Sequence, residues 1–220
     1  VHHCSIASDL NLTLASRRNE LMSQFLPYRF KSNNSLNMFD FINLDLNDSA
    51  EYLFQAIDSI KPDYIVNFSS LCMVGQSWLK PGDWYQTNLI GQSNLMEAIS
   101  KYAKLTKYIH FTTPEVYGSC TNRVDEDCPF NPTTPYAVSR AAGDMATRVW
   151  SMKHSINTLF VRASSIYCEG QHLYRIIPRS LLCAMKNIPM NLEGSGNSLR
   201  YFLHMQDVSE ALLMLLNYSS

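Results

Sequence analysis

The sequence lacks most of the features that would place it at a glance. No apolar run is long enough to span a bilayer and no signal-peptide pattern stands at Val1, so nothing in it predicts a membrane segment. There is no Cys-x-x-Cys pair; the six cysteines are scattered. That spacing argues against a zinc site or a disulfide frame and for a reducing, cytoplasmic compartment. His2-His3 has no third ligand at a useful distance in sequence, so no metal centre is predicted. A net charge of -1 leaves no footprint for nucleic acid or an acidic membrane surface. Repeats and low-complexity tracts are absent. Asn11-Leu12-Thr13 and Asn67-Phe68-Ser69 match the glycosylation pattern, but Asn67 falls in a run that reads as buried, and both are taken as chance. Nor is there a Gly-x-x-Gly-x-x-Gly turn, the device that seats a dinucleotide pyrophosphate on a helix N-terminus.

What is present reads as an ordinary globular chain. The 220 residues are 46% hydrophobic and 17% charged, enough for one good core or a domain and a half. Phe39 to Leu44 alternates like a strand, and Asp48 or Ser49 caps a helix that runs to Ile60. Tyr64 to Phe68 is a continuous apolar run, as in a parallel strand covered on both faces. Pro81-Gly82-Asp83 opens a long helix, Trp84 to Ala103, with Asp83 as its cap. Strand and helix go on alternating to His154, the pattern of a doubly wound parallel sheet. Before this, Val1 to Ala7 reads as a short strand, Leu12 to Leu26 as a helix and Lys31 to Asn37 as a polar loop. After it come a strand at Ile156 to Ala163 and a helix at Tyr174 to Lys186 that starts late or kinks at Pro178. Short strands follow at Pro189 to Leu192 and Leu199 to Leu203, then a helix at Gln206 to Tyr218. The change of rhythm near Ala163 divides the chain into residues 1–163 and a second lobe, 164–220.

The chemistry concentrates between Tyr108 and Trp150. A β-branched and aromatic strand stops at Thr112-Thr113-Pro114, followed by Glu115-Val116-Tyr117-Gly118 and an acidic loop. Pro135 then starts a helix on which Tyr136 and Arg140, four residues apart, share one face. Thr113 and Glu115 leave a strand end, where open α/β sheets carry their ligands. A phenol with a pKa of about 10 needs a nearby cation to act as a base near neutrality, and Arg140 is placed to be that cation. The plainer alternatives are a surface tyrosine beside a solvated arginine and a glutamate that caps a loop.

The ordered set resembles the extended short-chain dehydrogenase/reductase family. More narrowly it is similar to the nucleotide-sugar 4,6-dehydratases, relatives of dTDP-glucose and GDP-mannose dehydratase. Their hallmark is Thr-Asp-Glu or Thr-Ser-Glu, a Val-Tyr-Gly-like segment and Tyr-x-x-x-Lys, found here as Thr113-Pro114-Glu115-Val116-Tyr117-Gly118 and Tyr136-x-x-x-Arg140. The likeness covers about residues 39 to 218. It implies an α/β, Rossmann-like doubly wound parallel sheet that lacks its first βα unit, which belongs before residues 1 to 38, with a partial C-terminal substrate lobe.

The resemblance also implies roles. Tyr136 takes the proton of a sugar 4-hydroxyl while hydride passes to NAD, Thr113 orients that hydroxyl, and Glu115 removes the C5 proton. Arg140 stands where the family has a lysine that lowers the tyrosine pKa and holds the nicotinamide ribose, an exchange that is not conservative. Pro114 stands where many members have an aspartic acid that protonates the departing 6-hydroxyl. Asp45-Leu46 match an adenine contact; Phe68, Ser69, Ser70 and Thr87-Asn88 match residues beside NAD. In the pattern Arg162 to Gln171, Ser165 replaces an asparagine that contacts the diphosphate, and Arg200 matches an arginine that grips it. Asp207 is expected to cap the last helix. The reading is an NAD-dependent dehydratase of a nucleotide-diphosphate sugar. Alternatives are an epimerase or uronate decarboxylase of the same fold, or a degenerate non-catalytic relative. A homodimer is expected through helices 84–103 and 135–154, with Ala141, Ala142 and Ala146 allowing close approach; neither nucleic acid nor membrane is an expected partner.

Overall fold

The computed structural model describes residues 12–16, 39–120, 123–169, 171–192, 196 and 199–218. The chain divides into two compact units, one built mainly from Phe41–Ala163 and one that includes Ser164–Ser220 together with segments from before Phe41.

The first unit is organised on a three-stranded parallel sheet, in the order β3 (Tyr64–Asn67), β4 (Lys107–Phe111), β5 (Thr158–Val161). The register sets Tyr64 beside Lys107 and Tyr108 beside Thr158. Strand β4 lies between the other two and is buried along its whole length. β1 (Leu12–Ser16) and β2 (Phe39–Asn43) form a separate pair, so the helix expected from Leu12 begins instead as a strand. Leu-Thr-Leu-Ala-Ser is short and alternates, and pairing with β2 outweighs its helical propensity. The expected elements at 1–7 and 31–37, and the His2-His3 pair, lie outside the described residues.

Helix α1 (Ala50–Ile60) is capped by the Ser49 hydroxyl, which accepts from Tyr52 N. It ends at Lys61, in the left-handed region at φ 54°. α1 packs on α4 (Gln92–Lys101), and α4 packs on α5 (Pro135–His154). Leu53, Ile57, Leu95, Met96, Ile99, Tyr102 and Tyr108 form the main core. The long helix expected from Trp84 is broken. A short α2 (Val74–Ser77) and α3 (Pro81–Tyr85) precede a π-helical stretch, Gln86–Gly91, before α4 begins. Lys80, not Asp83, is the residue at the cap: Pro81 sits in the first turn, where its missing N–H is not needed, and Asp83 lies inside that turn. The wide turn fits its surroundings. A Cβ on Gly91 would come within 2.8 Å of the Leu46 carbonyl oxygen, so the segment presses against the loop after β2.

α5 begins as expected. Pro135 is in its first turn and the Thr134 hydroxyl accepts from Ala137 N at 3.1 Å. Its Ala141 does not serve an outer face, as the dimer expectation had it. It is buried against Val116 and Tyr117.

In the second unit β6 (Ser165–Tyr167) pairs with β7 (Phe202–His204) in parallel, and α6 (Ile176–Lys186) and α7 (Met205–Asn217) complete it. α6 starts at Ile176, which leaves Pro178 in the first turn and removes the kink. Residues 189–192 are irregular rather than a strand. The last helix is capped by His204, whose ring accepts from Gln206 N, and Asp207 lies within its first turn. Its charge still favours the helix N-terminus.

Candidate active site

Strand β4 ends in the residues of interest. Thr113 leaves it in an extended conformation and caps a single 3-10 turn, Pro114–Tyr117, its hydroxyl accepting from Glu115 N at 3.3 Å. Proline at the first position suits the turn, because φ is already set. Gly118 ends it at φ 72°, and a side chain there would run into the Asn131 carbonyl oxygen. Glycine is thus required by both backbone and space.

Tyr136 comes from the first turn of α5 and is buried rather than solvated, as is Arg140 one turn on. This removes the surface-tyrosine alternative. The Tyr136 backbone is tied down at both ends: its N–H donates to Ser77 Oγ at 3.2 Å and its carbonyl accepts from Ser139 Oγ at 2.7 Å. Ser139 in turn accepts from Asn88 Nδ2 at 2.9 Å, and Asn88 also holds the Leu71 backbone, accepting from its N–H at 2.8 Å and donating to its carbonyl at 3.0 Å. Asn88 reaches all of these from the π-helical stretch, a kind of distortion that recurs at functional sites.

Thr113, Glu115, Tyr136 and Arg140 are brought together. The Tyr136 phenol lies beside the Thr113 side chain, and the charges of Arg140 and Glu115 both act on it. Burial is the largest influence and pushes its pKa above 10; Arg140 and the neighbouring Thr113 hydroxyl pull it back, and Glu115 and Cys72 push it up. The cation is therefore present but does not by itself make Tyr136 a base near neutrality. The structure shows why. Arg140 directs one terminal nitrogen to the Phe111 carbonyl oxygen at the end of β4. Its Nε is buried with no hydrogen-bond partner among the described residues. Cys72, beside the phenol, was not singled out from sequence, where a lone cysteine before a short helix carries no signal.

The residues expected near a cofactor lie at the strand ends and on the segment facing them. Asp45 closes the turn after β2, its carboxylate accepting from Asn47 N at 3.0 Å and Asn47 Nδ2 at 3.1 Å. Leu46 packs on the main core. Thr87 accepts from Asn47 Nδ2 at 3.2 Å, which joins the β2 loop to the π-helical stretch. Phe68 follows β3 half-exposed, its ring 4.8 Å from that of Phe111, and Ser69 N donates to Asn67 Oδ1 at 2.9 Å. Ser70 is half-buried. Ser165 and Arg200 belong to the second unit, where Ser165 pairs with Phe202 at the start of β6 and Arg200 is exposed two residues before β7.

Behind the site runs a buried polar chain that sequence reasoning did not find. Asn67 Nδ2 donates to Gln92 Oε1 at 2.8 Å and to Tyr108 OH at 3.2 Å. Gln92 Nε2 donates to Tyr108 OH and to Thr147 Oγ1, each at 2.9 Å. The Tyr108 hydroxyl, whose two acceptor positions are thus filled, donates to His110 Nδ1 at 3.3 Å. His110 Nε2 lies 3.2 Å from Asp144 Oδ1, and Arg162 donates to Asp144 Oδ2 at 2.9 Å. Burial holds His110 below its usual pKa, so it is neutral with its proton on Nε2. Tyr108, pushed up to about 12 by burial, does not ionise in any physiological range.

Among the described residues no group of three His, Cys, Asp or Glu is placed to hold a metal, and no helix is long and apolar enough to cross a membrane. The described cysteines form no disulfide with one another.

The chain is similar to known proteins in sequence and in fold. The chain is 31% identical to a dTDP-glucose 4,6-dehydratase of Streptomyces niveus over 155 residues, which is 70% of this chain and 46% of that protein. It is 26% identical over 190 residues to a probable dTDP-glucose 4,6-dehydratase of Sinorhizobium fredii, covering 82% of this chain and 54% of that one. It thus spans about half the length of the curated relatives it matches. Two solved structures share its fold. A dTDP-glucose 4,6-dehydratase from Bacillus anthracis, in complex with NAD, superposes with a TM-score of 0.81 at 24% identity, covering 98% of this chain and 66% of that one. A UDP-glucuronic acid 4-epimerase from Bacillus cereus, in complex with UDP-glucuronic acid and NAD, gives a TM-score of 0.81 at 22% identity, covering 96% of this chain and 66% of that one. These establish the Rossmann-like α/β fold. The family model for NAD dependent epimerases and dehydratases matches residues 11–220, and the chain belongs to that family.

Proposed function

We propose that this chain carries the proton-transfer centre of an NAD-dependent nucleotide-sugar 4,6-dehydratase. The observation that carries the reading is the gathering of Thr113, Glu115 and Arg140 around the buried Tyr136 phenol. The relatives named as dTDP-glucose 4,6-dehydratases support it.

The residues present fit the cofactor. Arg140 Nε is a buried donor without a partner at the C-terminal end of the sheet, where parallel α/β folds carry nucleotides. Phe68, Ser69, Ser70, Asp45, Leu46 and Thr87 would hold NAD along the same edge, with Tyr136 and Arg140 at its reactive end. When bound, NAD supplies a hydride acceptor for C4 of the sugar and afterwards a hydride donor. Tyr136 accepts the proton of the 4-hydroxyl, and Thr113, beside the phenol, orients that hydroxyl. The resulting ketone acidifies C5, and Glu115 removes the C5 proton. Ser165 and Arg200 are assigned to the nucleotide diphosphate, for which a planar guanidinium is suited. Residues 1–163 then form the NAD-binding domain and 164–220 part of the substrate lobe. A cytoplasmic location fits the lack of a disulfide among the described cysteines.

A second reading has one observation in its favour. Pro114 has no proton to give a departing 6-hydroxyl. Decarboxylation of a uronate or epimerisation would not need one from that position. Incubating the chain with NAD and a panel of hexose and uronate nucleotide sugars, then weighing the products, separates them: loss of one water means dehydration, loss of carbon dioxide decarboxylation, and no change of mass in a converted sugar epimerisation. Tyr136→Phe should abolish each conversion while leaving the circular dichroism spectrum unchanged. Undiminished turnover in that variant would refute the assignment.

A homodimer through α5 belongs to the same proposal. Val138, Ala142, Met145, Val149 and Met152 follow a four-three-four-three spacing, and the four larger of them are exposed. That is the seam of a helix that packs against another helix.

A further inference from the structure

The segments that carry the proposed reacting groups meet again at one side chain of β5 and its border, Arg162. Its terminal nitrogen is 2.9 Å from Asp144 Oδ2. Asp144 stands one turn beyond Arg140 on α5 and is almost fully buried. The other carboxylate oxygen of Asp144 faces His110 Nε2 at 3.2 Å, and His110 lies on β4 three residues before Thr113. The flat faces of the guanidinium are occupied too. Its central carbon is 5.4 Å from the centre of the Tyr117 ring, 5.3 Å from that of Phe130 and 5.7 Å from that of Phe160. Tyr117 follows Glu115 by two residues in the 3-10 turn. Phe130 sits in the segment that leads into α5, and its ring meets that of Tyr117 edge-on at 5.7 Å. One arginine therefore grips the helix of Tyr136 through its edge and the turn of Glu115 through its face, while the same aspartate fixes the strand that ends in Thr113.

We infer that Arg162 is a positioning residue that sets the distance of Glu115 from Tyr136 by clamping the 3-10 turn to α5. The inference rests on the proposed roles of those two residues. It needs a guanidinium in particular. Lysine keeps the charge opposite Asp144 but has no plane to lie between rings. Both alternatives to a clamp are testable against it. A simple buried charge pair would be satisfied by lysine. A simple packing residue would, when changed, loosen the whole unit evenly.

The test compares the full chain with Arg162→Lys and, separately, Tyr117→Leu, which leaves the ion pair intact and removes one ring. Arg123, exposed in the segment between Gly118 and α5, offers a trypsin site that reports on how firmly that segment is held. Cleavage after Arg123 should rise about tenfold in Arg162→Lys, the factor expected when stacking on buried rings is lost, and less in Tyr117→Leu. Turnover number should fall by a similar factor while NAD affinity stays within about twofold, since the strand-end residues assigned to NAD do not touch Arg162. A lysine variant with wild-type cleavage and turnover overturns the clamp. So does cleavage that rises equally at every lysine and arginine. If the wild-type chain converts no nucleotide sugar, the proposed chemistry fails, and cleavage after Arg123 alone decides whether Arg162 holds the segment.

Discussion

Removing one oxygen atom, in Tyr108→Phe, should destabilise the first unit far more than its size suggests. The Tyr108 hydroxyl accepts from Asn67 at 3.2 Å and from Gln92 at 2.9 Å, and donates to His110 at 3.3 Å. Phenylalanine keeps the ring in the core but takes all three bonds away. Asn67 and Gln92 each retain a second partner, Gln92 Oε1 and Thr147 Oγ1, so each loses about 0.5–1 kcal/mol. His110 Nδ1 is left buried without a donor, which costs about 1–3 kcal/mol. The sum is about 2–5 kcal/mol, or a melting temperature lower by about 4–20 °C in a chain of this size. Urea unfolding followed by circular dichroism measures it, with Tyr52→Phe as control. Tyr52 is 52% exposed and should cost less than about 0.5 kcal/mol. If Tyr108→Phe is no worse than the control, the amide chain does not depend on this hydroxyl, and the directions assigned to Asn67, Gln92 and His110 are wrong.

The pH dependence of stability should carry the mark of His110. Its folded pKa lies below 6.5 because burial disfavours the imidazolium, so between the two values the unfolded chain binds the extra proton and stability falls as pH drops below about 6.5; the slope approaches about 1.4 kcal/mol per unit and should flatten in His110→Gln. Turnover should rise on the alkaline side of neutrality, since the Tyr136 pKa is raised, and Arg140→Ala should move that rise further alkaline by removing the charge that holds it down; an unshifted profile would mean that Arg140 acts only on Phe111. Gly118→Ala should cost about 1–3 kcal/mol, from a φ of 72° and a clash with the Asn131 carbonyl oxygen, measured by the same urea titration. Val149→Glu, on the exposed face of α5, should convert the expected dimer to monomer in sedimentation; a wild-type chain that is already monomeric would refute the seam.

The fold was legible where one signal dominated. The strand from Lys107 and the helix from Pro135 to His154 follow from an apolar run that stops at Pro114 and a proline at the first turn of the next helix, and both are local. Two failures were local conflicts decided by neighbours. Leu12–Ser16 has residues that suit a helix but lies paired as β1. The 84–103 helix has one continuous periodicity, and nothing in it marks the π-helical stretch, which depends on the Leu46 backbone approaching Gly91. The polar chain behind the site was illegible for a different reason. Its bonds join residues 25, 41 and 55 apart in sequence, Asn67 to Gln92, Asn67 to Tyr108 and Gln92 to Thr147. Asparagine, glutamine and threonine at such distances leave no period to detect. The nearness of Thr113, Glu115, Tyr136 and Arg140 was legible in their order along the chain, but the state of Tyr136 was not, because its pKa is set by burial, and burial is a property of the assembled unit.

Pro114 and Arg140 can be taken together as departures of one kind. Each exchanges a group that gives or shares a proton for one that fixes geometry. Proline sets φ at the start of the 3-10 turn and so directs Glu115, yet offers no acid. Arginine ties α5 to the end of β4 through Phe111, yet leaves the phenol above its ordinary pKa. On the proposed reading the site keeps Tyr136 and Glu115, assigned to the 4-hydroxyl proton and the C5 proton, and has no acid at position 114. If dehydration occurs here, its proton comes from a residue other than 114. The mass of the product from a neutral hexose, compared with that from a uronate, therefore tests more than substrate preference, because conversion of the uronate alone would show that the loss at 114 redirected the chemistry.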